Sequence, residues 1–420
     1  MIMWRLIELE NGVTLLVQPM PHMRSVSVGI WAASGSAGEP APLAGVSHFL
    51  EHMLFKGTET RPALEIASAM ERVGGVLNAF TAKEYTCYYA KSLDEHFPQA
   101  VELLADMYHN SLLTAEEFDR EKNVIIEEIH MYEDSPDDTV VDLLSSAMWP
   151  DHPYGRPIAG SVQSVQALTC QQMRDYYRSR YVPAATVVAV AGNIETPRAE
   201  EIIRRYFAAA PPAAKVAPAC PDTRLAGACA VYTHKDIEQT HVCLGFPGVA
   251  LEDGDYYPLR VLINALGGGA SSRLFQEVRE KRGLSYSAYA FADSYKHGGN
   301  IVAYASTRPA NARQLIEVMA EQFAIVAQHG LGEEEIRRSV TQMKGNLLLS
   351  MESTGNVMNR LARTQLNLGR VVTAEETAAK LAAVNEADIQ RVCGRLLQPG
   401  SMFVALVGPE DCPVDVKKLF

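Results

Sequence analysis

The chain falls into two halves of similar pattern on either side of an Ala- and Pro-rich stretch, and this duplication limits the folds open to it. The stretch covers residues 208–221 of 420 and shows neither helical nor alternating periodicity. Pro211 and Pro212 end the amphipathic segment before it, because proline cannot continue a helix. We therefore predict a first domain over residues 1–210, a linker over 211–221 and a second domain over 222–420.

Each half presents the same order of strand-like and helical patterns. Two alternating runs come first, followed by a helical segment, an aromatic-rich alternating run, a long acidic helix and an apolar strand that ends in glycine. We predict two homologous α+β domains, each a mostly antiparallel sheet with helices packed to one side of it. The paired segments are 13–19 with 229–233, 25–32 with 240–246, 43–56 with 256–266, 85–92 with 286–292, 114–129 with 332–347, and 187–193 with 403–409.

Composition narrows the functional classes. Hydrophobic residues make up 47% of the chain and charged residues 21%, which excludes a disordered chain. The net charge of −12 argues against a nucleic-acid partner and suits cationic substrates. Seven scattered cysteines without a CxxC pair indicate reduced thiols, and no apolar run approaches the ~20 residues of a membrane span. We expect a cytoplasmic protein without a signal peptide or a membrane partner.

The first helical segment carries His48, Glu51 and His52 in the pattern HxxEH. Residues four apart share a helix face, so both imidazoles can reach one ion, and Glu51 lies beside them. A catalytic zinc site needs nitrogen or carboxylate ligands, an open position for water and a base for the proton of that water. This single helical turn therefore supplies two predicted ligands, His48 and His52, and a predicted base, Glu51.

Two partly exposed histidines beside a surface glutamate would give the same pentapeptide without binding metal. The flanking residues 43–46 and 53–55 are largely apolar, which indicates a buried helix. Burying Glu51 between two histidines would be costly without an ion or another partner. The flanks therefore favour a metal site over a surface cluster.

Three segments together resemble the pitrilysin/insulinase-type zinc peptidases, most closely the branch that contains mitochondrial processing peptidase and its bacterial relatives. They are GVSHFLEHMLFKGT (45–58), GGVLNAFTAKEYTCYY (74–89) and REKNVIIEEIHMYEDSPDD (120–138). The likeness extends over essentially the whole chain. It implies one zinc per chain, bound by the two motif histidines and by a glutamate on a later helix.

Glu128 matches the position of that third ligand. Glu121 lies two turns earlier on the same helix face and matches a family glutamate that supports the site. Glu127 is a competing ligand, although its side chain should point about 100° away from this face. Without the resemblance, these glutamates would indicate only an exposed acidic helix face.

The second half repeats the scaffold without the metal-binding residues. Val261, Asn264 and Ala265 occupy the positions that correspond to the zinc motif, and Ser339 and Asn346 correspond to the two helical glutamates. Carboxylate and imidazole ligands are therefore missing at every matching position. We predict no metal site in this half.

The resemblance gives the second half a different role, since Arg279 and Tyr286 match a catalytic, substrate-contacting pair of the family. A guanidinium and a hydroxyl can donate to a scissile carbonyl that develops negative charge. Outside the family, the two would be a surface arginine and a strand aromatic. The preceding glycines 267–269 lack a phosphate-binding pattern, which leaves either a plain turn or a substrate-contacting loop.

The strand-like residues Asn78, Ala79 and Phe80 are the predicted substrate-binding segment. In the family, the substrate lies along this edge as an added strand, and main-chain pairing suits extended peptides of varied sequence. The alternative is a plain core strand.

We predict a zinc-dependent endopeptidase that hydrolyses unfolded peptides or presequence-like segments in an enclosed chamber, with Glu51 as general base. Longer family members carry four repeats, so a homodimer of this two-repeat chain would rebuild that shell, with Arg279 and Tyr286 supplied by the partner chain. The alternatives are a non-catalytic structural subunit, a processing peptidase subunit that needs a different partner chain, and a metal-dependent hydrolase of another bond. The complete zinc motif argues against the structural subunit.

Overall fold

The structure is a computed structural model that describes residues 4–214 and 225–419. Its strands are β1 Arg5–Glu8, β2 Thr14–Pro19, β3 Ser25–Ala32, β4 Val76–Thr81, β5 Thr86–Leu93, β6 Thr186–Gly192, β7 Ala230–His234, β8 Thr240–Pro247, β9 Ala288–Ser294, β10 Gly299–Thr307 and β11 Phe403–Gly408. Its α-helices are α1 Val46–Met53, α2 Ala63–Glu71, α3 Phe97–Asn110, α4 Ala115–Asp134, α5 Pro136–Met148, α6 Val162–Ala167, α7 Cys170–Arg180, α8 Thr196–Phe207, α9 Tyr256–Gly267, α10 Ala312–His329, α11 Glu333–Ser350, α12 Thr354–Leu368, α13 Ala374–Ala382, α14 Glu386–Leu396 and α15 Val416–Leu419.

The described residues form two compact units, each assembled from discontinuous segments of the chain. Among these residues, unit 1 takes 4–129, 157–214 and 349–372. Unit 2 takes 130–156, 225–348 and 373–419.

Unit 1 is built on a six-stranded sheet in the order β1-β2-β6-β3-β5-β4. The β2–β6 pair is parallel and every other neighbouring pair is antiparallel. The central strand β6 is buried along its whole length, because its residues alternate between two cores. Val188 and Val190 belong to the core that includes α1, α3 and α8, whereas Ala189 packs on the opposite face with Met358 of α12. Helices therefore cover both faces of this sheet.

Unit 2 repeats the topology in a five-stranded sheet with the order β7-β11-β8-β10-β9. Its one parallel pair, β7–β11, corresponds to β2–β6, and the remaining pairs are antiparallel. The edge strands β4 and β9 occupy the same place in the two sheets. The predicted α+β fold of two homologous, mostly antiparallel sheets is confirmed.

Two details of the predicted organisation are wrong. Helix α12 lies in the C-terminal half of the sequence but packs on β2, β3 and β6 of unit 1, and α5 lies in the N-terminal half but packs on β8 and β11 of unit 2. The units are consequently not the contiguous ranges 1–210 and 222–420, nor do helices lie on one side of each sheet only. The predicted linker 211–221 lies largely outside the described residues.

The predicted pairing of residues 85–92 with 286–292 is also wrong. The first run forms β5, which pairs with β3 and β4, whereas the second contributes to the edge strand β9. The true counterpart of β5 is β10, which pairs with β8 and β9. Both runs are aromatic and alternating, so their composition did not distinguish a central strand from an edge strand.

None of the helices in the described part of the chain is long and apolar enough to span a bilayer.

Candidate metal centre

The short helix α1, which carries the HxxEH motif, is fixed at its first turn. Gly45 has a φ of 95°, and a side chain there would collide with the backbone of Ala159. The buried Glu39 carboxylate accepts hydrogen bonds from the backbone nitrogens of Gly45 at 2.8 Å and Ser47 at 2.7 Å. A carboxylate at a helix N-terminus satisfies free N–H groups and interacts favourably with the helix dipole. These contacts hold the beginning of α1 in place one turn before the motif.

His48 and His52 lie one turn apart on α1, with ring centroids 4.7 Å from each other. His48 is buried and His52 half-buried, while Phe49, Leu50 and Met53 fill the core on the other side of the helix. The apolar residues therefore anchor α1 and aim both imidazoles the same way.

Helix α4 brings its glutamates to these rings. Glu128 Oε1 lies 3.6 Å from His48 Nε2, and Glu128 Oε2 lies 3.3 Å from His52 Nε2. Ile125 and Ile129 are buried on either side of Glu128 in the sequence and secure this part of the helix. Glu127, the competing ligand, is exposed to solvent.

The donor set fits a zinc ion. One ligand atom from each of His48, His52 and Glu128 lies within 4.8 Å of the other two, the one group of this kind in the described part of the chain. With bonds of about 2.0–2.1 Å, neighbouring ligands of a tetrahedral zinc ion are about 3.4 Å apart. The contacts of Glu128 at 3.3 and 3.6 Å match that spacing. Three protein ligands leave the fourth position for water, as catalytic zinc sites require.

Glu121 supports the site through His52. Its Oε1 lies 2.8 Å from His52 Nδ1, and its Oε2 lies 2.6 Å from Lys56 Nζ. A carboxylate on Nδ1 keeps the proton on that nitrogen and directs the Nε2 lone pair at the ion. Lys56 neutralises the buried Glu121 carboxylate.

The charges around His52 favour a cation. Burial alone would lower the pKa of His52, but hydrogen bonds to Glu121 and Glu128 and their negative charges raise it to about 9. Hydrogen bonds from His48 and His52 hold the pKa of Glu128 far below its ordinary value. Burial acts to raise the pKa of Glu121, and contacts with His52 and Lys56 lower it overall. The two carboxylates therefore favour positive charge at the imidazoles, which a bound divalent ion would supply in place of a proton.

Glu51 lies beside this set without belonging to it. Its Oε2 accepts a hydrogen bond from Thr81 Oγ1 at 2.6 Å. Burial raises the pKa of Cys87 and Tyr88, Tyr181 raises that of Tyr88 further, and the negative charge of Glu51 adds to both shifts. A half-buried carboxylate beside three ligands is suitably placed to exchange a proton with water at the site.

Sequence reasoning missed Lys56 and Thr81. Lys56 lies four residues after His52, so a helical extrapolation of the motif could have found it. Thr81 reaches Glu51 only because β4 pairs with β5 in a particular register, with Thr81 opposite Thr86. Nothing in the spacing of 30 residues between Glu51 and Thr81 predicts that contact.

The predicted substrate-binding residues lie on β4, at the edge of the sheet of unit 1. Asn78, Ala79 and Phe80 pair with Tyr89, Tyr88 and Cys87 of β5, and the described residues form no strand on the other side of β4. Edge strands present backbone groups to which an extended peptide can add.

Arg279 and Tyr286 lie together in unit 2. Arg279 is on a π-helical turn, Phe275–Glu280, and its guanidinium stacks 4.4 Å from the centre of the Tyr286 ring and 4.7 Å from that of Phe275. Its Nη1 also donates to the Tyr286 carbonyl at 3.2 Å. Tyr286 is 80% exposed, so its hydroxyl is open to a ligand.

The glycine loop before this pair has a packing explanation. A side chain at Gly267 would collide with Ala290 of β9, and one at Gly268 would collide with Asn264 of α9. Two of the three glycines are therefore required by close packing within unit 2.

Comparisons with known proteins place these sites in context. The protein-family model for insulinase (peptidase family M16) matches residues 14–162, and the family model for the peptidase M16 inactive domain matches residues 167–343. An uncharacterised zinc protease of Streptomyces coelicolor is 42% identical over 93% of this chain and 86% of its own length. A second, YmxG of Bacillus subtilis, is 41% identical over 95% of this chain and 97% of its own length.

Solved structures share the fold. A protease from Helicobacter pylori superimposes with a TM-score of 0.90 at 22% identity, covering 97% of this chain and 99% of its own. An M16-like peptidase from Alicyclobacillus acidocaldarius gives a TM-score of 0.86 at 22% identity, covering 96% and 98%. Identities this low support the architecture alone.

Proposed function

The chain belongs to the insulinase-type peptidase family M16, and we propose that it is a zinc-dependent endopeptidase with Glu51 as general base. The observation that carries the proposal is the convergence of His48, His52 and Glu128 at zinc-ligand spacing, with Glu51 next to His52 on α1. The relatives from Streptomyces coelicolor and Bacillus subtilis are named as zinc proteases, which supports both the metal and the reaction class. We infer one zinc per chain, since the described residues contain one such group.

The reaction needs a polarised carbonyl and an activated water. Bound zinc would act as a Lewis acid that lowers the pKa of water and polarises the scissile carbonyl. Glu51 accepts the proton of the water as its oxygen bonds to the carbonyl carbon. Glu51 then gives that proton to the amide nitrogen as the C–N bond breaks, so the products are an amine and a carboxylic acid, which keeps the second proton of the water until it ionises to the carboxylate. Glu121 keeps His52 in the required tautomer throughout.

The substrates we propose are unfolded or presequence-like peptides. The edge strand β4 offers main-chain pairing to an extended segment, and Thr81 at its end touches Glu51. The net charge of −12 favours cationic peptides. An enclosed chamber, which the family resemblance implies, would exclude folded proteins.

We further propose that the active form is a homodimer. Zinc-site residues lie in one repeat and Arg279 and Tyr286 in the other, and two copies of the chain would supply four repeats. Each copy would then donate its Arg279 and Tyr286 to the zinc site of the other, where they stabilise the developing negative charge.

A metal-dependent peptidase assay tests the central proposal. Elemental analysis of the purified protein should give about one zinc per chain, as the ligand set predicts. A quenched fluorescent peptide should be cleaved internally, the cleavage should stop with a chelator, and added zinc should restore it. The same peptide sequence placed within a folded protein should resist cleavage. Peptide cleavage by metal-free protein, or cleavage that a chelator does not stop, would contradict the proposal.

A further inference from the structure

Thr81 connects the edge strand to the predicted base. It is the last residue of β4, and its Oγ1 lies 2.6 Å from Glu51 Oε2. The donor and acceptor come from elements 30 residues apart in the sequence. A contact this short to a carboxylate is typical of a charge-assisted hydrogen bond.

The surrounding hydroxyls fix the direction of this hydrogen bond. Thr81 Oγ1 has a second oxygen neighbour, Thr86 Oγ1, at 3.4 Å. Thr86 is fully buried and donates its single hydroxyl proton to the carbonyl of Ser34 at 2.9 Å. Thr86 therefore has no proton left for Thr81, and the Thr81 hydroxyl donates its own proton to Glu51 Oε2.

The backbone that carries Thr81 is held firmly. The turn between β4 and β5 accepts hydrogen bonds from Ser36 N to Ala82 O at 3.2 Å and from Ala37 N to Lys83 O at 2.6 Å. Gly35 packs so closely under this turn that a side chain there would collide with the Ala82 carbonyl. Thr81 is therefore a fixed donor, since neither its strand nor the adjoining turn can shift without breaking these contacts.

We propose that Thr81 is a positioning residue for Glu51. Its hydroxyl occupies Oε2 and so leaves Oε1 as the carboxylate oxygen that exchanges the proton with water and with the leaving amine. The same strand carries the proposed substrate-binding residues 78–80. Strand β4 would therefore hold both the bound peptide and, through Thr81, the carboxylate of the base. This inference rests on the proposed function, in which Glu51 is the base.

Removal of the hydroxyl tests the proposal. Thr81→Val keeps the shape and strand preference of the residue but lacks the donor, and kcat should fall on the order of ten- to a hundredfold, the range expected when a hydrogen bond to a charged group is lost. KM for a quenched peptide should change by less than about threefold, because Glu51 acts on the reaction rather than on binding. Thr81→Ser restores the donor and should recover most of the lost kcat. Zinc content should stay at one per chain in both variants.

Two further measurements separate a positioning role from a structural one. In the Glu51→Gln background, Thr81→Val should lower the residual kcat by less than about twofold, because its effect passes through the carboxylate. A crystal structure of Thr81→Val should show the Glu51 carboxylate in a new orientation with the histidines unmoved. Thr81→Ala gives the same comparison if Thr81→Val does not fold.

The outcomes distinguish this inference from the function on which it rests. If Glu51→Gln is inactive but Thr81→Val and Thr81→Ser have equal kcat values, the positioning role is wrong and the endopeptidase proposal stands. Loss of zinc in Thr81→Val would also overturn the positioning role, because the residue would then act on the metal site. Wild-type turnover in Glu51→Gln would overturn both.

Discussion

His52 Nδ1 lies 2.8 Å from Glu121 Oε1, although the two residues are 69 positions apart in the sequence. Lys56 contacts the second oxygen of the same carboxylate at 2.6 Å. His52, the proposed zinc ligand, is therefore oriented by the Glu121 carboxylate, which is itself held by the Lys56 ammonium group, and each contact limits the freedom of the next.

Removing these supports should weaken zinc binding. Glu121→Gln retains an acceptor for His52 but removes the charge, and we expect a 10- to 100-fold loss of zinc affinity, roughly the range found for outer-shell partners. Lys56→Met should cause a smaller loss, because Glu121 remains. Competition against a chromophoric chelator measures both. The exposed Lys91 offers a matched control, since Lys91→Met removes the same charge away from the site. Equal affinities for Lys56→Met and Lys91→Met would show that Lys56 has no role at the site.

The sequence alone predicts which site residues share a helix face, because that information is local. His48 and His52 are four residues apart and Glu121 and Glu128 seven apart, so helical periodicity alone groups each pair. Joining the two pairs required the family resemblance, since no local pattern says which helix packs against α1. The contact of Thr81 with Glu51 depends on strand register, which the sequence does not specify at that resolution.

Helices α5 and α12, which pack in the unit formed mainly by the other half of the sequence, mark a similar limit for the fold. The apolar run of β6 can be recognised as a buried strand, but its burial on both faces requires a second helical layer whose source is not encoded nearby. For unit 1 that layer is α12. The hydroxyls of Thr354, its first residue, and Ser27 of β3 share a hydrogen bond of 2.9 Å. The two residues are 327 positions apart, beyond the range of any periodicity.

The role of the base can be separated from metal binding. Glu51→Gln removes the proton acceptor and leaves all three ligands, so zinc content should stay near one per chain. Turnover of a quenched peptide should fall by a factor on the order of 10² or more, as expected for loss of general base catalysis. Elemental analysis and steady-state kinetics on the same preparation provide the comparison. Turnover like that of the wild type would refute the mechanism.

The identity of the third ligand is tested by two adjacent substitutions. Glu128→Gln should reduce zinc affinity strongly, because Glu128 faces both imidazoles. Glu127→Gln makes the same chemical change one residue away on an exposed position and should leave zinc content near normal. Isothermal titration with zinc measures both. The reverse result would identify Glu127 as the ligand and would mean that α4 is rotated by one residue.

The buried Asp106 should make stability depend on pH. Burial acts to raise its pKa, but hydrogen bonds from Thr58, Asn110, Thr60 and Arg61 lower it overall. Because the pKa is lower in the folded state, the stabilisation is complete above the unfolded value of about 3.9 and is lost as the pH falls through the folded value.

Asp106→Asn removes this titration. At pH 7 the variant should unfold about 1–3 kcal/mol more easily, since a charged acceptor is lost. Urea denaturation at a series of pH values should show the difference between wild type and variant shrinking below pH ~4. The difference between the two proteins isolates Asp106 from the other carboxylates. A difference that stays constant down to the acid limit would mean that Asp106 does not titrate as proposed.

A mixture of two inactive variants tests the homodimer. Glu51→Gln lacks the base and Tyr286→Phe lacks the hydroxyl proposed to stabilise the developing negative charge, so each should be nearly inactive alone. In a mixed dimer, the copy with intact Glu51 faces the copy with intact Tyr286, and one of the two sites is complete. Random pairing of equal amounts makes half of the dimers mixed, so activity should return to about a quarter of the wild-type value for a closed two-fold dimer.

Subunit exchange must be measured alongside this activity. Native mass spectrometry of differently labelled variants can show the mixed dimer directly, and Glu51→Gln mixed with the double variant Glu51→Gln/Tyr286→Phe provides a control that can form no complete site. Activity in the test mixture but not in the control would support a site shared between two copies, since only the test mixture combines an intact base with an intact Tyr286. If mixed dimers form and no activity returns, each zinc site uses the Tyr286 of its own chain, and the shared arrangement is wrong.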